Sequence, residues 1–161
     1  METLESKYIY KRPFGNIRND KCKLPNKMII DDYYVNEYPD WVNAFVITKD
    51  YQIILVEQYR HGGGDFFLEI PAGKRELHES DEEGILREVK EETGFISLKS
   101  PIFLGEYMVN PAIQNNKIKT YLIVEAFKAY DLDLDETEEI KVRLYDFDCF
   151  EEMLLKDQIN T

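Results

Sequence analysis

The sequence predicts an α+β or layered α/β domain behind a small N-terminal β-meander, and three observations predict it. Short apolar runs of strand length recur along the chain, separated by turn residues. Two stretches, about Ser80 to Thr93 and from about Phe150, carry a helical pattern. Finally, 161 residues with 43% hydrophobic and 13% aromatic content suffice for one core without a disulfide or metal staple.

Residues 1–40 are expected to form the meander. Lys7 to Arg12 alternates like a strand, and Met28 to Val35 reads as a second extended stretch. Pro13, Gly15, Asn16, Asn19 and Pro25 supply turn chemistry between them. From Trp41 the chain becomes more apolar, so residues 41–161 are expected to form the main domain. Val42 to Thr48 and Gln52 to Gln58 read as strands joined by a Lys49-Asp50 turn. His61 to Asp65 is a glycine-rich loop; no Gly-Lys-Ser/Thr follows it, so it is not a P-loop. Phe66 to Ile70 is a short strand closed by Pro71-Ala-Gly73. The helix that follows has Ser80 as N-cap, Glu83 at the capping-box spacing and Gly94 as its terminator. Strands are expected near Ile102 to Val109, Lys119 to Ala126 and Ile140 to Phe147, before a last helix.

Charge narrows the function classes. Twenty Lys+Arg against 32 Asp+Glu leave a net charge of -12, which argues against a nucleic-acid polymer as partner. The N-terminus lacks the basic and apolar regions of a secretory signal, and no run approaches a membrane span. Cys22 and Cys149 form no CxxC pair and read as reduced thiols, so a cytoplasmic location is expected. With only His61 and His78, a histidine-rich zinc site is not expected.

The acids concentrate in two segments. On the first helix Glu88, Glu91 and Glu92 stand three and four residues apart, so they converge on one surface, while Ile85, Leu86 and Val89 form an apolar stripe for a core. Like charges repel there unless a cation sits among them, and an all-oxygen set suits Mg²⁺ or Mn²⁺. Arg87, eight residues after Glu79 and four before Glu91, is spaced to fix one or both carboxylates. The second segment, Asp131 to Glu139, reads by itself as a solvated acidic loop.

The full string runs Gly73, five residues, Glu79, seven residues, Arg87-Glu88-Val89, one residue, Glu91-Glu92, one residue, Gly94-Phe95. It matches the Nudix box at every fixed position, and the chain resembles a Nudix hydrolase from about Trp41 to Phe147. The resemblance implies an α/β/α sandwich with a mixed β-sheet and cleavage of a diphosphate linked to a nucleoside. It also implies Mg²⁺ or Mn²⁺ held by Glu88 and Glu92, with Glu91 in direct or water-mediated contact. Glu79 and Arg87 would orient those ligands, within a box whose structural positions include Gly73 and Gly94.

The flanks Val56-Glu-Gln-Tyr-Arg60 and Leu68-Glu-Ile-Pro-Ala-Gly-Lys74, with Pro111 sixteen residues after Phe95, are similar to ADP-ribose pyrophosphatases and related nucleotide-sugar hydrolases. By that resemblance the Ala72 carbonyl is a further metal ligand, and the acidic loop supplies Glu136 as base and Glu138 as ligand, with Glu139 a competing register. Arg60, Glu69, Trp41 and Pro111 are the candidate substrate-binding residues, Arg60 as a phosphate clamp and Trp41 as a base-stacking ring or a packing residue. Relatives use the N-terminal meander to build a homodimer, which is therefore expected here. The continuation Ala112-Ile-Gln-Asn-Asn116 departs from the subfamily pattern. The alternatives are a GDP-mannose or other nucleotide-sugar hydrolase, and a non-catalytic nucleotide sensor on the same fold.

Overall fold

The computed structural model describes residues 1–159 and divides into two compact units. The first comprises Met1–Trp41 with Glu106–Ile118, and the second Val42–Gly105 with the chain from Lys119 onward.

In the first unit β1 (Glu2–Arg12), β2 (Gly15–Lys23) and β3 (Ile29–Glu37) form an antiparallel meander in that order. The central strand lies where the sequence predicts turns. Gly15, Asn16 and Asn19 are individually turn-prone, but β2 is paired on both sides and its side chains complete a polar network that no local propensity encodes. Asp20, 3% exposed, accepts from Arg18 Nε at 2.8 Å, from Arg18 Nη2 at 3.0 Å and from the Ser6 hydroxyl at 2.7 Å. Arg18 Nη1 donates to Glu37, which also receives Asn16 Nδ2 at 3.5 Å. The segment from Glu106 joins this unit through β3: Asn36 N–H donates to Ile113 C=O at 2.7 Å, and the Tyr33 hydroxyl donates to Ala112 C=O at 2.5 Å.

The second unit is built on an eight-stranded sheet with main order β11-β5-β4-β10-β8. These strands are β4 (Trp41–Thr48), β5 (Gln52–Arg60), β8 (Phe95–Ile96), β10 (Lys117–Lys128) and β11 (Ile140–Asp146). Three more pair alongside: β6 (Asp65–Glu69) on β5, β7 (Ala72–Lys74) on β4 and β9 (Ile102–Met108) on β10. β5 runs antiparallel to β4, β6 and β11, whereas Lys49 N–H donates to Ala126 C=O where β4 and β10 both end, so those two run the same way and the sheet is mixed.

Helices α1 (Asp81–Thr93) and α2 (Phe147–Leu155) cover opposite faces. Val42, Ala44, Val46, Ile54, Tyr121 and Ile123 pack with Ile85 and Val89 of α1, while Ile53 and Leu55 pack with Phe150 of α2. Burial on both faces explains why Ile53 to Val56 is continuously apolar rather than alternating. The result is the expected α/β/α sandwich. Two short strands, β7 and β8, were beyond the reach of sequence periodicity. Helix α2 begins at Phe147, three residues before the expected start, because β11 ends directly on its N-cap, Asp146.

Candidate active site

Helix α1 is fixed at both ends by local chemistry. The Ser80 hydroxyl accepts from Glu83 N–H at 3.2 Å while the Glu83 carboxylate accepts from Ser80 N–H at 2.8 Å, the reciprocal capping box. Gly94 ends the helix at φ 69, with its N–H on Lys90 C=O at 2.8 Å. A Cβ at Gly94 would run into the Tyr130 carbonyl. That carbonyl belongs to a segment bound to the helix end: Ala129 and Tyr130 N–H groups both donate to Gly94 C=O at 3.0 Å, and Asp133 N–H to Glu91 C=O at 3.0 Å. These bonds anchor the start of the acidic loop Asp131 to Glu139 beside α1.

Arg87 organises the box. Its Nε and Nη2 grip Glu79 at 3.0 and 3.1 Å, and Nη2 also donates to Lys74 C=O at 3.1 Å. Its Nη1 bridges Glu88 at 3.0 Å and Glu91 at 2.9 Å. Each of the five N–H donors of a guanidinium is thereby used. Glu79 also receives Glu76 N–H at 3.0 Å, and with the Arg87 bonds foremost its carboxyl lies below the usual glutamate range despite some burial. Those bonds, Glu79 first, raise the Arg87 pKa in turn.

Glu92 differs from its neighbours. It lies seven residues after Ile85, two turns along the apolar stripe, and so enters the buried face, 6% exposed. Its Oε2 accepts from Ala72 N–H at 3.1 Å. Burial pushes its pKa up to about 8; the Ala72 bond opposes this, the charges of Glu88 and Glu138 add to it, and Arg60 partly offsets them. Glu88 is raised too, by burial first, against the pull of Arg87 and with the push of Glu91 and Glu138. Gly73 touches this group by close approach: a Cβ there would collide with the Glu88 carboxylate.

In the acidic loop Glu138 N–H donates to Asp135 C=O at 2.9 Å, and the Glu138 carboxylate accepts from Asp135 N–H at 3.3 Å. Glu138 is the loop residue whose charge acts on Glu88, Glu92 and Arg60 alike. Glu136 and Glu139 are exposed on the same loop. At the end of β5 Arg60 makes a bidentate pair with Glu69: Nε to Oε1 at 3.1 Å and Nη2 to Oε2 at 2.6 Å. Both are candidate substrate contacts by sequence, yet their mutual pairing has no sequence signal beyond their place on neighbouring strands. Trp41 and Pro111 belong to the first unit, where Trp41 is 36% exposed and Pro111 lies in the exposed turn after Asn110.

Among the described residues no three Asp, Glu, His or Cys side chains close into a finished cation cage. The donor chemistry nonetheless fits a hard divalent ion. The Glu138 charge bears on both Glu88 and Glu92, whose pKa values are raised; all three side chains supply oxygen only, and buried Glu92 ionises readily only with a cation beside it.

A helix presenting this charge-coupled acid group behind a Pro-Ala-Gly strand, inside an α/β/α sandwich, defines a Nudix-type hydrolase architecture. Residues 37–159 match the model of the NUDIX domain, and residues 1–36 that of the nucleoside diphosphate sugar hydrolase N-terminal domain. The chain belongs to the Nudix family of hydrolases. It is 30% identical over 148 residues to the ADP-ribose pyrophosphatase of Bacillus subtilis (strain 168), covering 88% of this chain and 79% of the relative. It is also 30% identical over 138 residues to the methanol dehydrogenase activator of Bacillus methanolicus, covering 84% and 74%. A solved ADP compounds hydrolase superposes with a TM-score of 0.83 at 20% identity, over 99% of this chain and 85% of that one, a likeness of fold.

Proposed function

We propose that this protein hydrolyses the diphosphate of ADP-ribose or a related nucleoside diphosphate sugar, with Mg²⁺ or Mn²⁺, to a nucleoside monophosphate and a sugar phosphate. The observation that carries the reading is the coupled group of Glu88 and Glu92 on α1 and Glu138 on the acidic loop, with Arg60 in the same field. The similarity to an ADP-ribose pyrophosphatase and the match of residues 1–36 to a nucleoside diphosphate sugar hydrolase domain support the substrate class.

Glu88, Glu92, Glu138 and the Ala72 carbonyl would hold the cation, with Glu91 touching it directly or through water. When bound, the ion offsets carboxylate charge, binds phosphate oxygens and makes water a better nucleophile. Arg87 and Glu79 keep the ligands in register. Arg60 donates to phosphate oxygens. A water oxygen forms a bond to one phosphorus, the bridging P–O bond breaks, and the bridging oxygen leaves with the other phosphate. Glu136 accepts the water proton.

Residues 1–40 are read as an assembly module and residues 41–161 as the catalytic domain. Tyr8, Ile9, Tyr10 and Phe14 are all roughly half exposed or more, an apolar display that a second copy of the chain would cover. A homodimeric mass by light scattering is the expected result. Among the described residues no helix is long and apolar enough to cross a membrane, and both cysteines are free, in keeping with a cytoplasmic setting.

The test is a panel with Mg²⁺: ADP-ribose, GDP-mannose, UDP-glucose, dinucleoside polyphosphates and 8-oxo-dGTP. The highest kcat/KM is expected for ADP-ribose, with AMP and ribose phosphate as products. Preference for GDP-mannose would move the substrate, and no monophosphate from any compound would favour the sensor.

A further inference from the structure

We infer that Glu69 is a positioning residue, which acts by holding Arg60, the side chain proposed above to donate to phosphate oxygens, in place. This rests on the proposed reaction and divides the labour between two residues that the sequence placed together as substrate contacts.

The two arginines of the site differ in what they have left to give. Arg87 has spent all five donors on Glu79, Glu88, Glu91 and Lys74. Arg60 uses only Nε and one N–H of Nη2, all on Glu69. Both Nη1 donors and the second donor of Nη2 have no protein acceptor among the described residues. Two adjacent free donors on a planar fork match the spacing of phosphate oxygens.

The direction of the pair shows that it is more than a cross-strand bridge. The acid directly opposite Arg60 in the β5–β6 register is Asp65. Arg60 bypasses it, and Asp65 instead accepts from Phe66 N–H at 2.8 Å. Glu69 stands opposite Val56, four residues back along β5, about 13 Å of strand. Holding Glu69 therefore lays the Arg60 side chain back along the sheet, away from the His61–Gly64 turn and toward the Pro71–Ala72 segment. Ala72 is bound to Glu92, and the charges of Glu92 and Glu138 both act on Arg60. Without Glu69, this long side chain would swing toward those carboxylates or into solvent.

A built-in control lies on the same strand. Glu57 makes an equally bidentate pair with Arg143, at 3.0 and 3.1 Å, on an exposed stretch of β5 and β11. The charges that act most on Glu88, Glu92 and Arg60 do not include that of Glu57, so the pair serves as an ion pair outside that coupled group.

The experiment is a double-mutant cycle of Arg60→Ala and Glu69→Gln, with Glu57→Gln as control. kcat and KM are measured on whichever nucleotide sugar the wild type turns over, and binding of ADP is measured by calorimetry in parallel. Glu69→Gln is expected to raise KM about tenfold and leave kcat within about twofold, the signature of lost ground-state binding. Added to Arg60→Ala it should cost nothing further, because its effect runs through Arg60. Glu57→Gln should change neither constant. The inference is overturned if the two effects multiply, if Glu69→Gln lowers kcat with KM unchanged, or if Glu57→Gln matches it. Should the wild type cleave no nucleotide sugar, the proposed reaction fails by itself, and the same cycle read in ADP binding still decides the role of Glu69. Absence of ADP binding in the wild type would sink both.

Discussion

The first unit and the box region each bury acids around one arginine, and they do so to opposite effect. In the first unit Arg18 answers two acids, Asp20 and Glu37, and Ser6 and Asn16 supply further donors. Burial by itself pushes Asp20 up, but the Arg18 and Ser6 bonds and the Arg18 charge outweigh it, and its carboxyl sits below the ordinary aspartate range. In the box Arg87 answers three acids, while Glu92 and Glu138 lie outside its grip and Glu92 is driven up to about 8. A balanced network specifies strand register. An unbalanced one, kept against its own repulsion, is a place for an outside cation. Burial pushes both Asp20 and Glu92 up; the difference is that Asp20 has the Arg18 and Ser6 bonds to outweigh it, while Glu92 has one backbone bond and faces two more carboxylates.

The sharpest way to break this contrast is Glu92→Gln. Turnover should fall about a thousandfold, as measured by nucleoside monophosphate release with Mg²⁺. Stability should respond in the other sense. The folded pKa of Glu92 lies above the unfolded value near 4.5, so its contribution is fully present below that pH and fades as pH rises toward about 8. In EDTA the wild type should therefore lose stability across that window, by up to a few kcal/mol, and Glu92→Gln should flatten the loss in denaturant titrations. A metal-free wild type with no slope there would contradict the unbalanced charge.

Arg87→Lys comes next. A lysine offers one point charge where a five-donor fork is used, so Glu79, Glu88 and Glu91 cannot all be held. Activity and Mg²⁺ affinity should each fall about 10- to 100-fold, read from metal titrations of turnover. The smallest effect belongs to the balanced network. Asp20→Asn should lower stability by about 2 kcal/mol, discounted because Arg18 is partly exposed. Because the folded pKa of Asp20 is depressed, its contribution holds above the unfolded value near 3.8 and is lost as pH falls through the folded value. The wild type and Asp20→Asn should thus converge in stability in strong acid; a gap that persists there would show that the charge is not what Asp20 contributes.

The same contrast explains what the sequence disclosed. The box was legible because helix spacing is rigid: Ser80, Glu83 and Gly94 fix the ends, and Glu88, Glu91 and Arg87 follow from periodicity. Glu92 was legible as a carboxylate on that helix, yet its descent into the core appears only when Ile85 and Val89 are seen packed against the sheet. β2 was illegible because Gly15, Asn16 and Asn19 favour turns locally while the strand is held by partners far along the chain. In the acidic loop, Asp135, Glu136, Glu138 and Glu139 have no pattern to rank them. Only the electrostatic reach of Glu138 to α1 separates one from the rest. Nor could spacing show that Arg60 passes over Asp65 for Glu69, which depends on the register between two strands.

Gly73 carries a last consequence. The space where its side chain would stand is taken by the Glu88 carboxylate, so the smallest residue of the box acts as a mould for one of its largest. In a saturation screen this position should look as intolerant as the acids themselves while contributing no functional group, and alanine, the mildest replacement, would already displace Glu88. Part of the site is thus encoded as reserved emptiness. A designer transplanting the box onto another scaffold would have to copy that hollow together with the carboxylates.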